Sequence, residues 1–539
     1  MSNPKYIFIV GGVMSSVGKG VAAASIAKIL QSKGYKVANI KADMYVNIDA
    51  GTIRPAEHGE VFVGRDGIEA DQDLGNYERF TGQICTADNY ITTGQVYQEV
   101  IRKERNLEYN GEDVEVVPDI PNEIIRRIKQ CQKKNKAEIV IIEFGGTVGE
   151  YQVLLFLEAA RMLKAKNPTD VFTVIVSYLP TPGLLGEQKS KPTQYAIRTL
   201  NSAGIQPDLI LCRGEKPAMS DIKRTISNVC SLPESRIISA PDVYSIYDVP
   251  VYYEKEKLGQ TLLEIMNLKV RQNNLQDFKK LSQKIKWIKK TINIGVVGKY
   301  FNFKSCKDTY ISVIESINHA CWLRSLKPNV LWFDAEKYEK DKNKLKELDE
   351  TTGIIVPGGF GRRGTEGMIL AAEYARKNKI PYFGLCLGMQ IMTIEFARNV
   401  LRLKDADSTE LNPQTKHPVI CIMEDQKTKI ENKDYGASMR LGAYPAKLNK
   451  NSLSFKAYKT NKILERHRHR YEFNNLYKDR FENKGMRIAG INPEHDLVEI
   501  VEVIDHPWML GVQFHPEFQS RPLQPHPLFR EFIKACIKK

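Results

Sequence analysis

Short, uninterrupted apolar runs alternate with helical patterns through the first half of the chain. The runs are YIFIV at 6–10, KVANI at 36–40, EIVII at 138–142, VFTVIV at 171–176 and DLILC at 208–212. Each is rich in β-branched residues and predicts a strand buried on both faces. Between the first two lies AAASIAKILQSKG, apolar at helical spacing and stopped by Gly34. Buried strands separated by helices predict an open, mostly parallel sheet covered on both sides, an α/β domain.

The pattern changes near residue 268. LQDFKKLSQKIKWIKK places Leu275, Phe278, Leu281, Ile285 and Ile288 three or four residues apart, with lysines between them. That predicts an amphipathic basic helix laying one face on a neighbouring domain. A second α/β rhythm opens at 291 with TINIGVVGKY and continues through GIIVPGG at 353–359, IPYFGLCLG at 380–388 and MLGVQFHPEF at 509–518. The lysine-rich KYEKDKNKLKELDE at 337–350 predicts one exposed helix. No internal repeat relates the halves. The expected organisation is a first α/β domain over 1–267, a helical linker over 268–290, and a different α/β domain over 291–539.

Composition narrows the function classes. The chain has 539 residues, 42% hydrophobic and 27% charged, which allows sizeable cores and excludes a disordered, collagenous or disulfide-scaffold protein. No run approaches the roughly 18 apolar residues needed to cross a bilayer, so no membrane role is expected. The opening residues read as a strand rather than a signal peptide, and a cytoplasmic location follows. Lys+Arg 79 against Asp+Glu 64 gives a net charge of +15. With no zinc-ligand spacing, RNA-binding aromatic signature or long basic block, that charge points away from nucleic acid and fits polyanionic small substrates or a basic proteome alike. The nine cysteines form no CxxC pair and read as reduced intracellular thiols, one of which is special.

The first strand runs into Gly11-Gly12-Val13-Met14-Ser15-Ser16-Val17-Gly18-Lys19-Gly20 and then an alanine-rich helix. A strand, a glycine-rich turn and a helix N-terminus aim backbone N–H groups at one point, and Lys19 adds charge suited to a triphosphate. The spacing from Gly12 is one residue longer than GxxxxGK[ST], and Gly20 stands where a metal-binding hydroxyl belongs. A magnesium ion must then be held by carboxylates. The candidates are the acidic stretch 69–73, which ends in Asp73, and Glu143, which closes a buried strand before Gly145-Gly146. Lys41, also at a strand end, is placed to meet a terminal phosphate.

The second domain carries a nucleophile signature. Cys386 lies between Gly384 and Gly388 directly after a strand, the cysteine counterpart of the G-x-S-x-G elbow. PGGFG at 357–361 supplies a second glycine-rich turn whose N–H groups can stabilise an oxyanion. A thiol nucleophile needs a base and a group to orient it, and GVQFHPEF offers His515 and Glu517. Two apart in an extended segment, they would share one face and point together at Cys386. His467 and His469 in ERHRHRYE have no comparable partner pattern and read as structural or surface residues, while the arginines there can bind a carboxylate.

Both halves carry motifs of one family. GGVMSSVGKG, HGEVFV (58–63), DLGNYERF (73–80), EFGGTVGE (143–150), KSKPTQ (189–194), PGGFGRRG (357–364), GLCLGMQ, RHRHRYE (466–472) and QFHPEF together resemble the CTP synthases over essentially the whole length. The N-terminal half is similar to dethiobiotin-synthetase-like P-loop ligases and the C-terminal half to class I glutamine amidotransferases. The resemblance implies UTP, ATP, glutamine and water as substrates, with CTP, ADP, phosphate and glutamate as products. It also implies Mg2+, GTP as an activator, CTP as a feedback ligand and a homotetramer able to form filaments, and it places His58 near the passage taken by ammonia.

By the same resemblance, Ser16, Val17, Gly18, Lys19, Gly20 and Val21 with Lys41, Asp73, Asp242 and Val243 match ATP contacts. Ser15, Lys189, Ser190, Lys191, Pro192, Thr193 and Gln194 match UTP and CTP contacts, and Asp73 with Glu143 match the magnesium ligands. Gly359, Leu387, Gly388, Met389, Gln390, Glu410 and Arg470 match the glutamine pocket, and Cys386, His515 and Glu517 the catalytic triad. Several positions depart from the family pattern. The usual KLDPYLN reads Lys41-Ala42-Asp43-Met44-Tyr45-Val46-Asn47, and the usual Asp-Ile-Glu of the cytidine pocket is Glu150-Tyr151-Gln152. A usual nucleotide-binding lysine falls on Thr225, beside Lys223 and Arg224, and the usual Lys-Asp-Val is Pro241-Asp242-Val243. The two lysines of KSKPTQ favour a triphosphate over the neutral acceptor of another glutamine-dependent ligase. The presence of Lys19 and Cys386 speaks against a non-catalytic assembly protein of the same fold.

Overall fold

A computed structural model describes residues 3–183, 186–299, 306–423, 426 and 436–538. The chain divides into two compact units, the first made of residues 1–49 and 73–286, the second of 50–72 and 287–539. The second unit thus gathers a stretch from the N-terminal half, for which hydropathy gives no sign because 50–72 holds no long apolar run.

In the first unit, seven strands form one sheet: β1 (Lys5–Gly11), β2 (Val37–Asp43), β3 (Tyr90–Thr92), β4 (Ile139–Phe144), β5 (Val171–Tyr178), β6 (Leu209–Gly214) and β7 (Ile237–Pro241). Their order is β3-β2-β4-β1-β5-β6-β7, and every neighbouring pair is parallel. The five continuous apolar runs all become strands of this sheet, because side chains on both faces meet covering helices. Phe8, Ile142, Ile175 and Ile210 belong to one buried cluster. The edge strands β3 and β7 have no such signature, one being three residues long and the other ending in proline. Since β4 and β5 flank β1, the turn leaving β1 opens at the carboxyl edge where the strand order reverses, the usual ligand crevice of such sheets. Helix α1 (Lys19–Ser32) starts at that turn, and α2 (Asp73–Thr81) packs against it. Helix α3 (Lys191–Ser202) follows β5.

The amphipathic segment forms helix α4 (Gln276–Trp287). Leu275, Phe278, Leu281 and Ile285 are buried, and Phe278 meets Phe80 and Tyr247 at ring distances of 5.9 and 6.2 Å. Its apolar face therefore lies on the first unit. The helix stops one residue short of Ile288, and Trp287 is 78% exposed.

The second unit is built on a nine-stranded sheet: β8 (Thr291–Gly298), β9 (Lys327–Asp334), β10 (Gly353–Val356), β11 (Tyr382–Leu385), β12 (Arg440–Leu448), β13 (Lys462–His469), β14 (Met486–Ile491), β15 (Val498–Val503) and β16 (Met509–Val512). The order is β9-β8-β10-β11-β16-β15-β14-β12-β13. The first five strands pair in parallel and the remainder extend the sheet antiparallel. Helix α5 (Leu387–Asn399) leaves β11 through Cys386. The lysine-rich segment after β9 is not one exposed helix. It breaks at Asp341 into a helix ending at Lys340 and a 3-10 stretch Lys342–Glu350, because Tyr338, Leu345 and Leu348 are drawn into the core. Among the described residues, no helix is long and apolar enough to cross a membrane.

Candidate active sites

The turn after β1 delivers Lys19 to the carboxyl edge of the first sheet, where its ammonium donates to the Gly146 carbonyl at 2.8 Å. Burial lowers its pKa, an effect partly offset by the Glu143 carboxylate. Lys41, near the end of β2, donates to Asp73 Oδ2 at 2.5 Å and to Glu143 Oε1 at 3.1 Å. Two carboxylates from different elements thus converge on one cationic position. The Tyr77 hydroxyl donates to the other Glu143 oxygen, and Asn76 Nδ2 donates to Asp73 Oδ1 at 3.2 Å. Burial, reinforced by the Asp73 charge, pushes Glu143 up to about 7.

The missing hydroxyl at Gly20 has a steric cause. A Cβ built on Gly20 would overlap the Asp73 carboxylate, so glycine admits that carboxylate to the place beside the phosphate loop. The donor set fits a hard divalent cation, which takes carboxylate oxygens and binds beside phosphates.

Gly18, Val21, Asp242 and Val243 line one cavity of about 190 Å3 with Ala22, Tyr252 and Tyr253. Arg213 also lines it and holds Asp242 at 2.6 Å. Sequence reasoning passed over Arg213, a lone charge at the end of an apolar strand. Thr225 lies outside this lining and donates to Asp221 O within its own helix, while Lys223 pairs with Glu256 at 2.8 Å and Arg224 with Glu234 at 3.7 Å.

Lys191 and Gln194 line a cleft of about 320 Å3 with Tyr195, Arg198, Asn201 and Cys230, and neither Ser15 nor Glu150 lines it. Lys189 pairs with Glu187 at 2.8 Å, Ser190 accepts from Gln194, and Pro192 stands in the first turn of α3. Thr193 is fully buried and donates to the Tyr178 carbonyl, which turns its hydroxyl inward. Ser15 and Ser16 are exposed, whereas Val17 is buried. Glu150 accepts from Thr147 N at 2.8 Å and from Gln152 Nε2 at 2.6 Å, while Tyr151 is 91% exposed.

In the second unit, Cys386 occupies the elbow between β11 and α5 with a positive φ of 51°. A non-glycine residue held there is strained, and the strain projects the side chain above the sheet edge. His515 Nδ1 lies 2.7 Å from Glu517 Oε1, and Cys386, His515 and Glu517 line one cavity, into which His515 Nε2 is buried without a hydrogen-bond partner. The expected extended segment is not what joins the pair. β16 ends at Val512, and Pro516–Gln519 forms a 3-10 turn that folds Glu517 back beneath the imidazole. Proline at the first position of the turn enforces this path. Burial disfavours the imidazolium, but Glu517 and Cys386 overcome it and push His515 up to about 10. Phe518 stacks on the imidazole at 5.2 Å, and Phe62 meets Phe518 edge-on at 5.1 Å, so the 50–72 segment backs the base.

Gly359, Leu387, Gln390, Glu410 and Arg470 line one cavity of about 310 Å3 together with Cys386. Gln390 Nε2 donates to the Tyr471 carbonyl at 3.0 Å and Arg470 to Gln426 at 2.9 Å. Glu410 accepts from Gly361 N at 2.8 Å, and its pKa is raised by burial. Lys299 donates to the carbonyl of the same glycine at 2.5 Å, so the glycine-rich turn is held at both the N–H and the C=O of Gly361. Gly388 and Met389 do not line the cavity, and the Met389 side chain lies wholly in the core. His467 and His469 are fully buried and joined at 3.0 Å, with pKa values driven well down by burial and by Arg440. They seat the strand that carries Arg468 and ends just before Arg470, and His469 also lines this cavity.

A Cβ on Gly358 would stand 2.8 Å from His515 Cε1 and 3.7 Å from Cys386 Cβ, between nucleophile and base. Gly358→Ala is expected to slow glutamine hydrolysis by roughly 10- to 100-fold, the cost of about 1 Å of misplacement. CTP formation from ammonium is the control and should stay near normal.

A family model described as CTP synthase N-terminus matches residues 5–268, and one described as class-I glutamine amidotransferase matches 305–535. The CTP synthase of Clostridium kluyveri is 47% identical over 541 residues, covering 99% of this chain and 98% of that protein. The chain belongs to the CTP synthase family. The CTP synthase of Aquifex aeolicus is likewise 47% identical, over 536 residues, with 99% and 98% covered. Among solved structures, the acivicin-bound glutaminase domain of Trypanosoma brucei CTPS is 39% identical and covers 46% of this chain and 94% of that one, with a TM-score of 0.43. Membership of the CTP synthases makes this a glutamine-hydrolysing ligase with ATP- and UTP-dependent chemistry.

Proposed function

We propose that the first unit phosphorylates UTP at the uracil O4 and that ammonia, released from glutamine in the second unit, displaces that phosphate to give CTP. What carries the reading is that relatives named CTP synthase match both units end to end, while Lys41, Asp73 and Glu143 converge in the first unit and His515 pairs with Glu517 beside Cys386 in the second.

In the first unit, the turn over 15–21 wraps the triphosphate of ATP, Lys19 neutralises it, and Lys41 meets the terminal phosphate. The cavity lined by Gly18, Val21, Arg213, Asp242 and Val243 takes the rest of the nucleotide. Asp73 and Glu143 would hold Mg2+, which when bound supplies charge neutralisation for the transferred phosphoryl group. In the second unit, Cys386 Sγ attacks the glutamine carboxamide carbon, and the N–H groups of Gly359 and Leu387 face the oxyanion. His515 gives its proton to the departing ammonia, and water then hydrolyses the thioester to glutamate. Glu410 and Arg470 bind the amino and carboxylate groups of glutamine. Ammonia leaves past the 50–72 segment, which carries His58. GTP is the activator, the location is cytoplasmic, and the assembly is a filament-competent homotetramer in which another subunit completes the UTP site. Exposure of Tyr151, Leu154 and Tyr195 supports that last point.

The test is ATP hydrolysis with glutamine and CTP formation, each measured with and without UTP. Hydrolysis that ignores UTP, or proceeds without CTP appearing, overturns the reading.

Feedback by CTP should be weak. Gln152 carries no charge where the family has a glutamate, and the Glu150 carboxylate is already engaged by Thr147 and Gln152. A lost charge-assisted hydrogen bond is worth about 1.5–3 kcal/mol. CTP titration at matched UTP saturation should therefore give an inhibition constant about tenfold higher than in a relative with Asp-Ile-Glu. Equal or tighter inhibition would contradict this.

A further inference from the structure

The triad leaves one neighbour of the nucleophile unexplained. Gln513, the residue after β16, is 1% exposed and directs its amide nitrogen at Cys386 Sγ, 3.7 Å away. Its orientation is set by a relay. Gln390 Nε2 donates to the Tyr471 carbonyl, which can only accept, and the same nitrogen donates to Gln513 Oε1 at 3.3 Å. With its oxygen engaged by a donor, Gln513 has only its NH2 to offer the sulfur. The backbone restrains it as well, since Gln513 N donates to Glu499 O at 2.9 Å.

The other close contact of the sulfur acts in the opposite sense. The Arg468 carbonyl lies 3.8 Å from Sγ as an acceptor and favours the protonated thiol. A donor amide favours the thiolate, because a hydrogen bond to the charged form stabilises that form. The cavities on the two sides of Cys386 present His515, Glu517, Glu60 and Arg468 on one side and Glu410, His469 and Arg470 on the other.

We propose that Gln513 is a positioning residue for the nucleophile. It holds Cys386 as a thiolate aimed at the glutamine carboxamide, and Gln390 couples it to the substrate cavity. When glutamine enters the cavity that Gln390 lines, the relay reports its arrival to the sulfur. This rests on the reading of Cys386 as the nucleophile of glutamine hydrolysis.

The experiment uses the full chain with Gln513→Met, which keeps the volume and removes the donor, and Gln513→Glu, nearly isosteric but an acceptor. Alkylation of Cys386 by iodoacetamide is followed by peptide mapping from pH 6 to 10, beside CTP formation from glutamine and from ammonium. Both variants should alkylate roughly tenfold more slowly at neutral pH, with the profile displaced to higher pH, and Gln513→Glu should be the slower. Glutamine-dependent kcat should fall by a similar factor, with ammonium-dependent synthesis and the unfolding temperature of Gln513→Glu nearly unchanged. An unmoved alkylation profile in Gln513→Glu overturns the proposal, as does loss of both nitrogen sources together. A Cys386→Ala enzyme that still hydrolyses glutamine would instead overturn the reading on which it rests.

Discussion

Cys386→Ala is expected to abolish CTP formation from glutamine and to leave formation from ammonium salts intact. The sulfur is needed only to break the carboxamide bond, and ammonia supplied from solution bypasses that step. Loss of a nucleophile that acts with its base as a unit costs roughly 10^4-fold or more. His515→Ala should fall by a comparable factor, because the thiol then lacks the imidazole that Glu517 holds at 2.7 Å. Rescue should be best at high pH, where more ammonia is unprotonated. Lys19→Ala should fail with both nitrogen sources, since in the proposed reaction phosphorylation of UTP precedes any use of nitrogen. Initial rates with the two nitrogen sources across the three variants check the pattern. A Cys386→Ala enzyme equally dead with ammonium, yet folded and able to bind UTP and ATP, would break the assignment of separate chemistries to the two units.

Asp73→Asn and Glu143→Gln are expected to lower UTP-dependent ATP hydrolysis by roughly 100-fold, or about 3 kcal/mol, at ordinary magnesium concentration. Each removes one of the carboxylate charges that converge on the Lys41 ammonium and leaves the shape of the site unchanged. Raising magnesium should recover part of the loss in both variants. Glutamine hydrolysis needs neither carboxylate and serves as the internal control. Near-normal turnover in either variant would place the metal elsewhere.

The residues read from the sequence were those whose type and spacing carry chemistry. The five continuous apolar runs became the central strands, because burial on both faces leaves no room for polar alternation. Cys386 stood out between its glycines, as did Lys19 after its glycine-rich turn. What stayed hidden depends on contacts between distant segments. Nothing near Gly20 announces that Asp73 fills the space where a hydroxyl usually sits. Arg213 and Gln513 are single polar residues at the ends of apolar strands, and only three-dimensional neighbours give them a role. His515 and Glu517 were legible as a pair, but a pleated strand was the wrong device. A proline-led turn brings them together, and two-residue spacing alone does not separate these geometries. Thr193 sits inside a polar motif, yet its hydroxyl faces the core, which a motif cannot record.

The grouping of 50–72 with 287–539 bears on how the protein can be dissected. The polypeptide passes between the units three times, so cutting at the helical linker does not yield two autonomous halves. A C-terminal fragment would keep buried Arg466 but lose Phe62, whose ring it faces at 5.4 Å, and the Val63 carbonyl it donates to. It would also keep Arg468 without Glu69, its partner at 2.8 Å, and lose the Glu60 carboxylate that accepts from Ser312 N. Buried charges stripped of their partners are strongly destabilising. The two chemistries are separable by point substitution but not by scissors, and any transplant of the glutaminase must carry its N-terminal insert with it.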